Sequence, residues 1–295
     1  MHDDQLTVTV ETVRGLVGEQ FPAWRGLPVR ALASQGTVNA IFRLGDELTA
    51  RFPLKSADVD ETRRELEREA DAARELAGRT RLRTPEPVAI GEPGGDYPLP
   101  WSVQTWIPGE IATPEDPADS MAYASDLAEF IREVRAVDTC GRTFRGSGRG
   151  GDLKRHEEWM QTCFAGSEGL VDVPRLRQMW AELRELPRES PDVMTHGDLT
   201  PGNVLVAGGR LVGVLDVGGF GPADPALDLV GAWHLLADGP RQRLRKELGC
   251  ADLEWQRGKA WALEQALGVA WYYRETNPPM HRMGVVTINR LLGDD

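Results

Sequence analysis

MTHGDLTPGNVLVAGGRLVGVLDVGG, residues 194–219, contains two short apolar runs, NVLVA and LVGVLDV, joined by a glycine pair. Glycine adopts the positive φ angles that tight hairpin turns require, so a Gly-Gly pair between two strand-like runs is a hairpin signal. The pattern therefore predicts two short strands that pair through a turn at Gly208-Gly209. Polar side chains at the open end of such a hairpin would lie close together.

Three polar residues stand at the ends of these runs. Asp198 follows a His-Gly pair, Asn203 comes five residues later, and Asp216 ends the second run. Aspartate and asparagine are common in ordinary turns, where they bond to nearby backbone. Carboxylate and amide oxygens are also ligands of Mg²⁺, which often takes only one or two carboxylates and completes its shell with phosphates and water. Taken singly, each residue fits either interpretation.

The chain upstream of this stretch predicts a small β-rich unit with one long helix. Residues 7–20 have the apolar spacing of a helix, and residues 29–54 alternate between apolar and polar side chains around a tight turn at Gly45-Asp46. A strongly helical pattern follows over residues 58–79. PVAIGE and WSVQTWI then predict two further strands.

Pro108-Gly109 is the predicted boundary between two lobes, residues 1–107 and 108–295. The Gly-rich segment 141–152 is interpreted as a mobile loop. Apart from the hairpin, the second lobe is expected to be helical. The predicted helices cover about 118–138, 152–164, 173–186, 223–237, 240–248 and 252–275.

The composition indicates a folded, acidic protein. Of the 295 residues 41% are hydrophobic, and the formal net charge is −12 at pH 7. Negative charge disfavours a nucleic-acid partner and attracts a cationic substrate. No run is apolar enough to span a membrane. The three cysteines, Cys140, Cys163 and Cys250, show neither metal spacing nor a disulfide framework, which favours a reducing, cytoplasmic location. A monomer is the default expectation.

Phosphoryl transfer is the chemistry that these residue types fit best. Asn203 and Asp216 could hold Mg²⁺, and Asp198 could accept the proton of a hydroxyl and orient it, because this reaction needs mainly positioning and charge neutralisation. Upstream, Arg51 lies in a predicted strand, where it could bind nucleotide phosphates. A glutamate of the following helix, Glu65 or Glu69, could hold that cation. Gly36 could let backbone amides approach phosphates.

HGDLTPGN resembles the motif of the aminoglycoside phosphotransferase family, in which His-Gly-Asp is followed by four residues and Asn. This family is the small-molecule branch of the protein-kinase-like fold. The resemblance covers nearly the whole chain. QGTVNAIFRLGDELTARFP is similar to the family's nucleotide-loop hairpin and third strand, PLPWSVQTWIPGE to its interlobe segment, and LDVGGFGPADPALDLVGAW to its metal-binding segment and the next helix.

The resemblance implies an α+β, bilobal, protein-kinase-like fold and a Mg-dependent kinase. Such an enzyme transfers the γ-phosphate of ATP or GTP to a hydroxyl of a small molecule, here an aminoglycoside-type antibiotic or a related compound. The implied site residues are Asp198 as catalytic base, Asn203 and Asp216 as magnesium ligands, Arg51 at the α/β-phosphates, Glu69 as its brace, backbone groups of Thr105, Trp106 and Ile107 at the base, and Asp228 as support of the catalytic loop.

Two positions depart from the family pattern. Arg51 stands where the family commonly has lysine; arginine keeps the charge but presents a planar fork instead of a point charge. Lys55 is a second candidate for this role, although Pro53 makes a continuous strand between them less favourable. Gly219 replaces a further acidic residue found in many relatives, so a third metal ligand is in doubt and the primary one is not.

Several residues have two interpretations. His196 is expected to support the loop by bonding to backbone and not to act as the base. Asp224 could cap a helix or contact substrate, and acidic residues such as Glu264 could hold a cationic acceptor. The acceptor could equally be a macrolide, an amino alcohol or a sugar, and the role could be resistance, self-protection or metabolism. A nucleotide-binding pseudokinase and a metal-dependent phosphohydrolase are the competing functional classes.

Overall fold

The computed structural model describes residues 6–32 and 38–293, and Gly36, the predicted nucleotide-loop glycine, lies outside them. The described chain divides into two compact units. The first comprises Met1–Ala77 and Arg83–Pro108, and the second comprises Gly78–Leu82 and Gly109–Asp295. The division falls at the Pro108-Gly109 pair, and the short segment Gly78–Leu82 after the long helix belongs to the second unit.

A five-stranded antiparallel sheet organises the first unit, with strand order β1-β2-β3-β5-β4. The alternating pattern of residues 29–54 forms its first strands, and the three residues between Leu44 and Leu48 make the β2–β3 turn that Gly45-Asp46 predicts. Gly45 has a positive φ of 59° there. The strands are β1 Val29–Leu32, β2 Asn39–Leu44, β3 Leu48–Pro53, β4 Pro87–Gly91 and β5 Trp101–Thr105.

Two helices complete the first unit. Helix α1, Val10–Gln20, starts at the N-cap Thr9, whose hydroxyl accepts from the Thr12 N–H. It packs its apolar side chains into a core with Phe42, Phe52 and Trp101 of the sheet. Helix α2, Val59–Leu76, is capped by Asp58 and buries one stripe of mainly leucine and alanine, while most of its charged residues stay exposed.

Two small sheets lie in the second unit. Strands β6 Glu110–Ile111, β8 Val204–Ala207 and β9 Arg210–Val214 form one, and β7 Val193–Thr195 pairs with β10 Gly221–Ala223 in the other. The predicted hairpin is confirmed: Ala207 faces Arg210 across Gly208 and Gly209, whose φ angles are 57° and 71°. Residues other than glycine rarely adopt positive φ angles, and two such residues in succession are rarer still.

Helices are the main secondary structure of the second unit, and the two largest differences from the sequence prediction lie on either side of residues 238–272. The predicted helix 223–237 is shorter, because β10 and a 3₁₀ turn precede it. A last helix, which the sequence prediction lacks, follows the Asn277-Pro278 step. The helices are α3 Met121–Arg135, α4 Glu157–Gly166, α5 Val173–Leu183, α6 Val230–Leu235, α7 Asp238–Leu248, α8 Asp252–Tyr272 and α9 Pro278–Gly293.

The core of the second unit is built around α8. Trp180, Trp233 and Trp261 are completely or almost completely buried. Helix α9 approaches α8 very closely at Gly284, where a Cβ would come within 2.7 Å of the Ala266 carbonyl oxygen. Only glycine permits this packing distance. Over the described parts of the chain, no helix combines the length and apolar character needed to cross a membrane.

The Gly-rich segment 141–152 is tied to the second unit at several points, which corrects its interpretation as a mobile loop. The Phe144 N–H donates to Asp192 Oδ2 at 2.8 Å. The Gly150 carbonyl accepts from the Asp224 N–H at 2.9 Å. Between these two anchors, Arg149 points its guanidinium at Asp198. Glycine here allows close packing, because a Cβ at Gly150 would meet Ala223 at 2.8 Å.

Candidate active site

The loop between β7 and β8 carries Asp198, and a buried carboxylate holds the backbone just before it. Asp228 is fully buried, and its two carboxylate oxygens accept hydrogen bonds from the backbone N–H groups of His196 and Gly197, each at 2.8 Å. These donors would otherwise be buried or half-buried without a partner. Asp228, on the 3₁₀ turn before α6, therefore fixes the start of the loop.

Replacing Asp228 with Asn is expected to lower the free energy of unfolding by about 2–3 kcal/mol. The amide has one accepting oxygen and one donating NH₂, so one of the two backbone N–H groups would face another donor. Urea unfolding measures the loss, and amide hydrogen exchange at His196 and Gly197 should accelerate with it. Asp172→Asn, at the N-cap of α5, is the control, because Asn caps helices about as well as Asp. Equal losses of unfolding free energy in the two variants would contradict the role of Asp228 in holding the loop.

His196 links the loop to the end of the β8–β9 hairpin. Its ring is buried; Nε2–H donates to the Leu215 carbonyl at 2.9 Å, and Nδ1 accepts from the Asp198 N–H at 3.2 Å. This tautomer follows from the partners, since a carbonyl can only accept and an N–H can only donate. Both ring nitrogens are thus engaged with backbone, so the ring supports the loop and offers no free base.

Three side chains bond to the carboxylate of Asp198, which is 39% exposed. Asn203 Nδ2 donates to Oδ2 at 2.8 Å, Gln265 Nε2 donates to Oδ1 at 2.6 Å, and Arg149 Nη2 donates to Oδ1 at 3.1 Å. Burial opposes ionisation, but the charge of Arg149 and the bonds from Arg149 and Gln265 outweigh it and hold the pKa of Asp198 below its ordinary value. The carboxylate is therefore ionised at neutral pH and oriented by all three donors.

Gln265, on α8, is oriented in turn by a buried histidine of α6. His234 Nε2 lies 3.1 Å from Gln265 Oε1, and His234 Nδ1 lies 2.9 Å from the Thr287 hydroxyl of α9. Because Gln265 uses its NH₂ on Asp198, its carbonyl oxygen accepts from His234 Nε2–H. Burial lowers the pKa of His234 to about 4, so the ring is neutral at pH 7. Three helices thus hold the amide that contacts Asp198.

The buried His234 predicts a loss of stability between about pH 6.5 and pH 4. Its pKa is about 4 in the fold, against an ordinary value of 6.5. The unfolded chain therefore binds the proton first, and the free energy of unfolding falls as the pH drops. This difference of about 2.5 pH units corresponds to about 3 kcal/mol, present in full above pH 6.5 and lost by pH 4.

Urea unfolding of the wild type and of His234→Gln across this pH range measures the contribution of His234. The other titrating groups are common to both proteins, so they cancel in the difference. The variant should show the shallower acid decline. Parallel declines would mean that His234 does not titrate in the unfolding reaction as predicted.

Asn203 and Asp216 lie at the open end of the β8–β9 hairpin. The Leu215 N–H donates to the Asn203 carbonyl at 2.7 Å, which places Asp216 one residue beyond the paired strands. Asn203 commits its amide nitrogen to Asp198, so its side-chain oxygen is the end available to another partner. Asp216 is exposed and adopts a left-handed backbone conformation with φ 54°, which Asp tolerates better than most residues.

The donor set of these two residues fits Mg²⁺, because both present hard oxygen atoms. Across residues 6–32 and 38–293, no group of three or more His, Cys, Asp and Glu could hold a metal ion. A site with one amide and one carboxylate relies on phosphate and water oxygens for the rest of its shell. Asn203 and Asp216 are therefore a candidate site for a metal that arrives with a phosphate ligand.

In the first unit, Arg51 of β3 meets Glu69 of α2. Arg51 Nη1 lies 3.5 Å from Glu69 Oε2, and the Arg51 side chain is 14% exposed. The backbone N–H groups of Thr105 and Trp106 donate within the sheet, to the carbonyls of Glu86 at 2.9 Å and Glu47 at 2.7 Å. These two N–H groups are thus committed, so other backbone groups of this segment would have to meet a base. Ile107, the third residue of this segment, is buried at 5% exposure.

Asp224 and Glu264 have buried partners, which corrects their interpretation as contacts for a cationic acceptor. Asp224 Oδ2 accepts from Arg257 Nε at 2.9 Å and from Trp261 Nε1 at 3.2 Å. Glu264 lies 2.9 Å from His156 Nδ1, and this bond and the charge of Glu264 outweigh burial and raise the pKa of His156. Both carboxylates are 5% exposed or less. Asp224 is therefore paired with a buried arginine, and Glu264 is hydrogen-bonded to a buried histidine.

Arg149 and Gln265 are the contacts of Asp198 that the sequence interpretation lacks. Arg149 lies in a Gly-rich segment, where no local pattern singles it out. Gln265 had a weak signal: with its neighbour Glu264 it interrupts the apolar run of α8, and polar residues inside a buried helix require partners. That argument could have indicated a buried network, although not its connection to Asp198.

A model of the phosphotransferase enzyme family, APH, matches residues 29–261. This match covers most of the chain and includes Asp198, Asn203 and Asp216, whereas Glu264, Gln265 and Thr287 lie beyond it. The chain therefore belongs to this family. The resemblance stated from the HGDLTPGN motif is thereby confirmed.

Curated relatives agree with this assignment. The chain is 31% identical over 151 residues to an aminoglycoside 3′-phosphotransferase of Salmonella typhimurium, which covers 47% of this chain and 53% of the relative. It is also 31% identical over 223 residues to an aminoglycoside 3′-phosphotransferase of Streptomyces ribosidificus. That aligned region covers 70% of this chain and 80% of the relative. The chain thus spans about half the length of some curated relatives and four fifths of another.

Solved structures show the same fold. The GDP complex of aminoglycoside 2′-phosphotransferase-IIIa superposes with a TM-score of 0.69 at 18% identity, covering 97% of this chain and 99% of that one. A macrolide 2′-phosphotransferase from Brachybacterium faecium has a TM-score of 0.63 at 18% identity, covering 94% and 97%. The predicted α+β, protein-kinase-like fold is therefore confirmed.

Proposed function

We propose that the protein is a Mg-dependent kinase that transfers the γ-phosphate of ATP or GTP to a hydroxyl of a small molecule. The observation that carries the proposal is the geometry at Asp198. An ionised carboxylate lies beside Asn203, at the open end of the hairpin that also presents Asp216. This arrangement supports the proposal, because a carboxylate that could accept a proton lies next to candidate ligands of a metal–phosphate complex.

Asp198 would hold and orient the acceptor hydroxyl. Its pKa is lowered, so at the moment of transfer its main contribution is orientation and charge, with the proton accepted late. Asn203 and Asp216 would hold Mg²⁺, which neutralises phosphate charge when bound. Asp228 and His196 keep the loop in shape, and neither carries an open group that could react.

In the first unit, the proposal assigns Arg51 to the nucleotide phosphates. Glu69 neutralises and braces Arg51 in the absence of nucleotide. This pair supports an active kinase over a pseudokinase, because the arginine keeps the cation and the brace that the usual lysine would have. Thr105, Trp106 and Ile107 remain the proposed segment for the base, through groups other than the two committed N–H donors.

The proposed acceptor is a hydroxyl of an antibiotic-type small molecule. The names of the curated relatives support an aminoglycoside, and the macrolide 2′-phosphotransferase among the structural neighbours supports a macrolide as the alternative. A coupled assay of ADP and GDP release, with ATP and GTP against aminoglycosides, macrolides, amino alcohols and sugars, tests the function. Hydrolysis of phosphoesters without any nucleotide would instead support a phosphohydrolase.

Removal of Mg²⁺ with EDTA is expected to lower nucleotide turnover by at least about a hundredfold, since a metal ion contributes several kcal/mol of charge stabilisation. Excess Mg²⁺ should restore it. Asp216→Asn should raise the Mg²⁺ concentration needed for half-maximal turnover, measured in the same coupled assay. Asp252→Asn, at an exposed helix start, is the matched control and should leave the requirement unchanged. Full turnover in EDTA would exclude the metal role.

A further inference from the structure

His156 lies where the segment that carries Arg149 meets helix α8. The residue stands directly before α4, and it is buried at 8% exposure. Its Nδ1 lies 2.9 Å from Glu264 Oε1, and its Nε2 lies 3.3 Å from the Gly148 carbonyl oxygen. The ring also meets the Trp261 ring edge-on, with the centroids 5.1 Å apart. One buried imidazole therefore connects α8 to the residue just before Arg149.

The two contacts of this ring require one proton more than a neutral histidine and an ionised glutamate possess. A carbonyl oxygen can only accept, so Nε2 carries a hydrogen and donates to Gly148. The contact between Nδ1 and the Glu264 carboxylate needs a second hydrogen between its two atoms, because two lone pairs would repel each other. A neutral imidazole has only one ring hydrogen. The His156–Glu264 pair therefore binds an additional proton.

The charges nearest to His156 agree with this count. The hydrogen bond to Glu264 and the charge of that carboxylate outweigh burial and the opposing charge of Arg149, and they raise the pKa of His156 above its ordinary value of 6.5. Folding thus favours the protonated pair. The resulting stabilisation is present in full below pH 6.5 and is lost as the pH rises through the pKa of His156.

The other ionisable groups near the pair are neutral or already paired. Cys163 of α4 lies in the field of Glu264, and burial raises the pKa of its thiol to about 11, so the thiol is protonated at neutral pH. Trp261 donates to Asp224, which forms a buried ion pair with Arg257. The buried histidine is therefore the group of this cluster that we expect to titrate near neutral pH.

Arg149 is anchored through the backbone carbonyls on both sides of it. The carbonyl before it accepts from His156, and the Gly150 carbonyl after it accepts from the Asp224 N–H at 2.9 Å. Between these anchors, Arg149 Nη2 donates to Asp198 Oδ1 at 3.1 Å. Of the two anchors, the one from His156 depends on a titratable side chain, whereas the other comes from a backbone N–H.

We propose that His156 is a positioning residue of the active site: with Glu264 it holds an additional proton, and through that proton it keeps Arg149 on Asp198. The inference rests on the proposed kinase function and concerns how its base is held. When the pair loses the proton, one of the two ring bonds is lost, because a neutral ring donates through one nitrogen only. Arg149 is then held less firmly, and the carboxylate it contacts is less well placed for the acceptor hydroxyl.

Two variants separate the anchor from its proton. His156→Leu removes both ring bonds and should release the segment at every pH. Glu264→Gln should keep the anchor without the additional proton, because the glutamine NH₂ donates to Nδ1 of a neutral ring whose Nε2–H still donates to Gly148. This variant should therefore hold the segment independently of pH. Glu158→Gln makes the same change at an exposed position of α4 and is the matched control, which should behave like the wild type.

Two measurements on the full-length protein need no acceptor. An NMR titration of the ring protons should give His156 a pKa above 6.5 in the wild type and below 6.5 in Glu264→Gln, where burial acts without the carboxylate. Hydrogen exchange of residues 145–153, followed by mass spectrometry, should be about three- to tenfold faster in His156→Leu, the range expected for one hydrogen bond. The wild type should exchange faster than Glu264→Gln only above the pKa of His156. The sequence of this segment is the same in all variants, so intrinsic exchange rates cancel.

The coupled assay then tests the effect on the reaction. With saturating substrates, kcat should fall about three- to tenfold in His156→Leu, while KM for nucleotide changes less than about twofold. The ratio of wild-type kcat to that of Glu264→Gln should decline as the pH rises through the pKa of His156. Groups that titrate in both proteins cancel in this ratio.

Three results would overturn the inference. A wild-type pKa of His156 at or below 6.5 would remove the additional proton, and unchanged exchange in His156→Leu would remove the anchor. Faster exchange with an unchanged kcat would leave His156 a structural role without an effect on the base. Failure of the kinase function is distinct, because no acceptor would then give turnover that depends on Asp198, while the titration and the exchange could still be measured.

Discussion

Asp198→Ala is expected to lower kcat for phosphorylation by about 10²–10⁴-fold, the usual contribution of a positioned general base. The variant loses the group that orients the acceptor hydroxyl and takes its proton. Affinity for nucleotide should change by less than about threefold, because the residues proposed to bind Mg²⁺ and phosphates are retained. Turnover by the coupled assay and nucleotide binding by calorimetry measure the two effects separately.

A second variant and a matched control make this result interpretable. Asp198→Asn keeps the size of the side chain but has only one accepting oxygen and no negative charge, so its NH₂ faces a donor, Asn203 on one side or Arg149 and Gln265 on the other. It cannot take the hydroxyl proton and should be as inactive as the alanine variant. Glu168→Gln removes an exposed carboxylate of the same unit and should leave turnover unchanged. If kcat for phosphorylation in both Asp198 variants stayed within tenfold of the wild-type value, Asp198 would not be the catalytic base.

The parts of the site that could be predicted from sequence are those set by local chain geometry. The hairpin follows from two apolar runs and a glycine pair, and these also place Asn203 and Asp216 at its open end. The role of Asp198 came from a short motif whose spacing is specific. Each of these inferences depends on residues less than about twenty positions apart, where turn chemistry and strand pairing limit the possible structures.

Long-range partners could not be predicted in the same way. Arg149 is 49 positions from Asp198, and Gln265 is 67 positions away. The packing of α8 brings Gln265 to Asp198, and the anchored segment 141–152 brings Arg149 there. Helix α9 was missed for a local reason: Asn277 and two prolines suggest a break, yet proline is well tolerated in the first turn of a helix because its missing N–H would be unpaired there anyway.

Asp224 shows why neither local interpretation describes its role. Its Oδ1 accepts from the Ala226 N–H at 3.0 Å, which is a turn bond two residues along the chain and not a helix cap. The second oxygen decides its role: Oδ2 bonds to Arg257, 33 positions away. A carboxylate with both oxygens engaged and 2% exposure has no open side for a substrate.

Asp224→Ala is accordingly expected to lower the free energy of unfolding by about 3–5 kcal/mol, the usual cost of removing one partner of a buried ion pair. Arg257 would keep its charge in the interior, with only the Leu186 and Pro187 carbonyls as acceptors. Urea unfolding measures the loss. Because both oxygens of Asp224 are committed to buried partners, KM for any acceptor should change less than about twofold at temperatures where the variant is folded.

The double variant Asp224→Leu with Arg257→Leu separates the charge effect from packing. Replacing both partners of a buried pair by apolar residues is often close to neutral, so this protein should recover much of the stability that Asp224→Ala loses. Arg245–Asp252 is the exposed counterpart, and Asp252→Ala should cost less than about 1 kcal/mol. A small stability loss together with a tenfold rise in KM in Asp224→Ala would contradict this prediction. Asp224 would then contribute mainly to binding the acceptor and only secondarily to the buried ion pair.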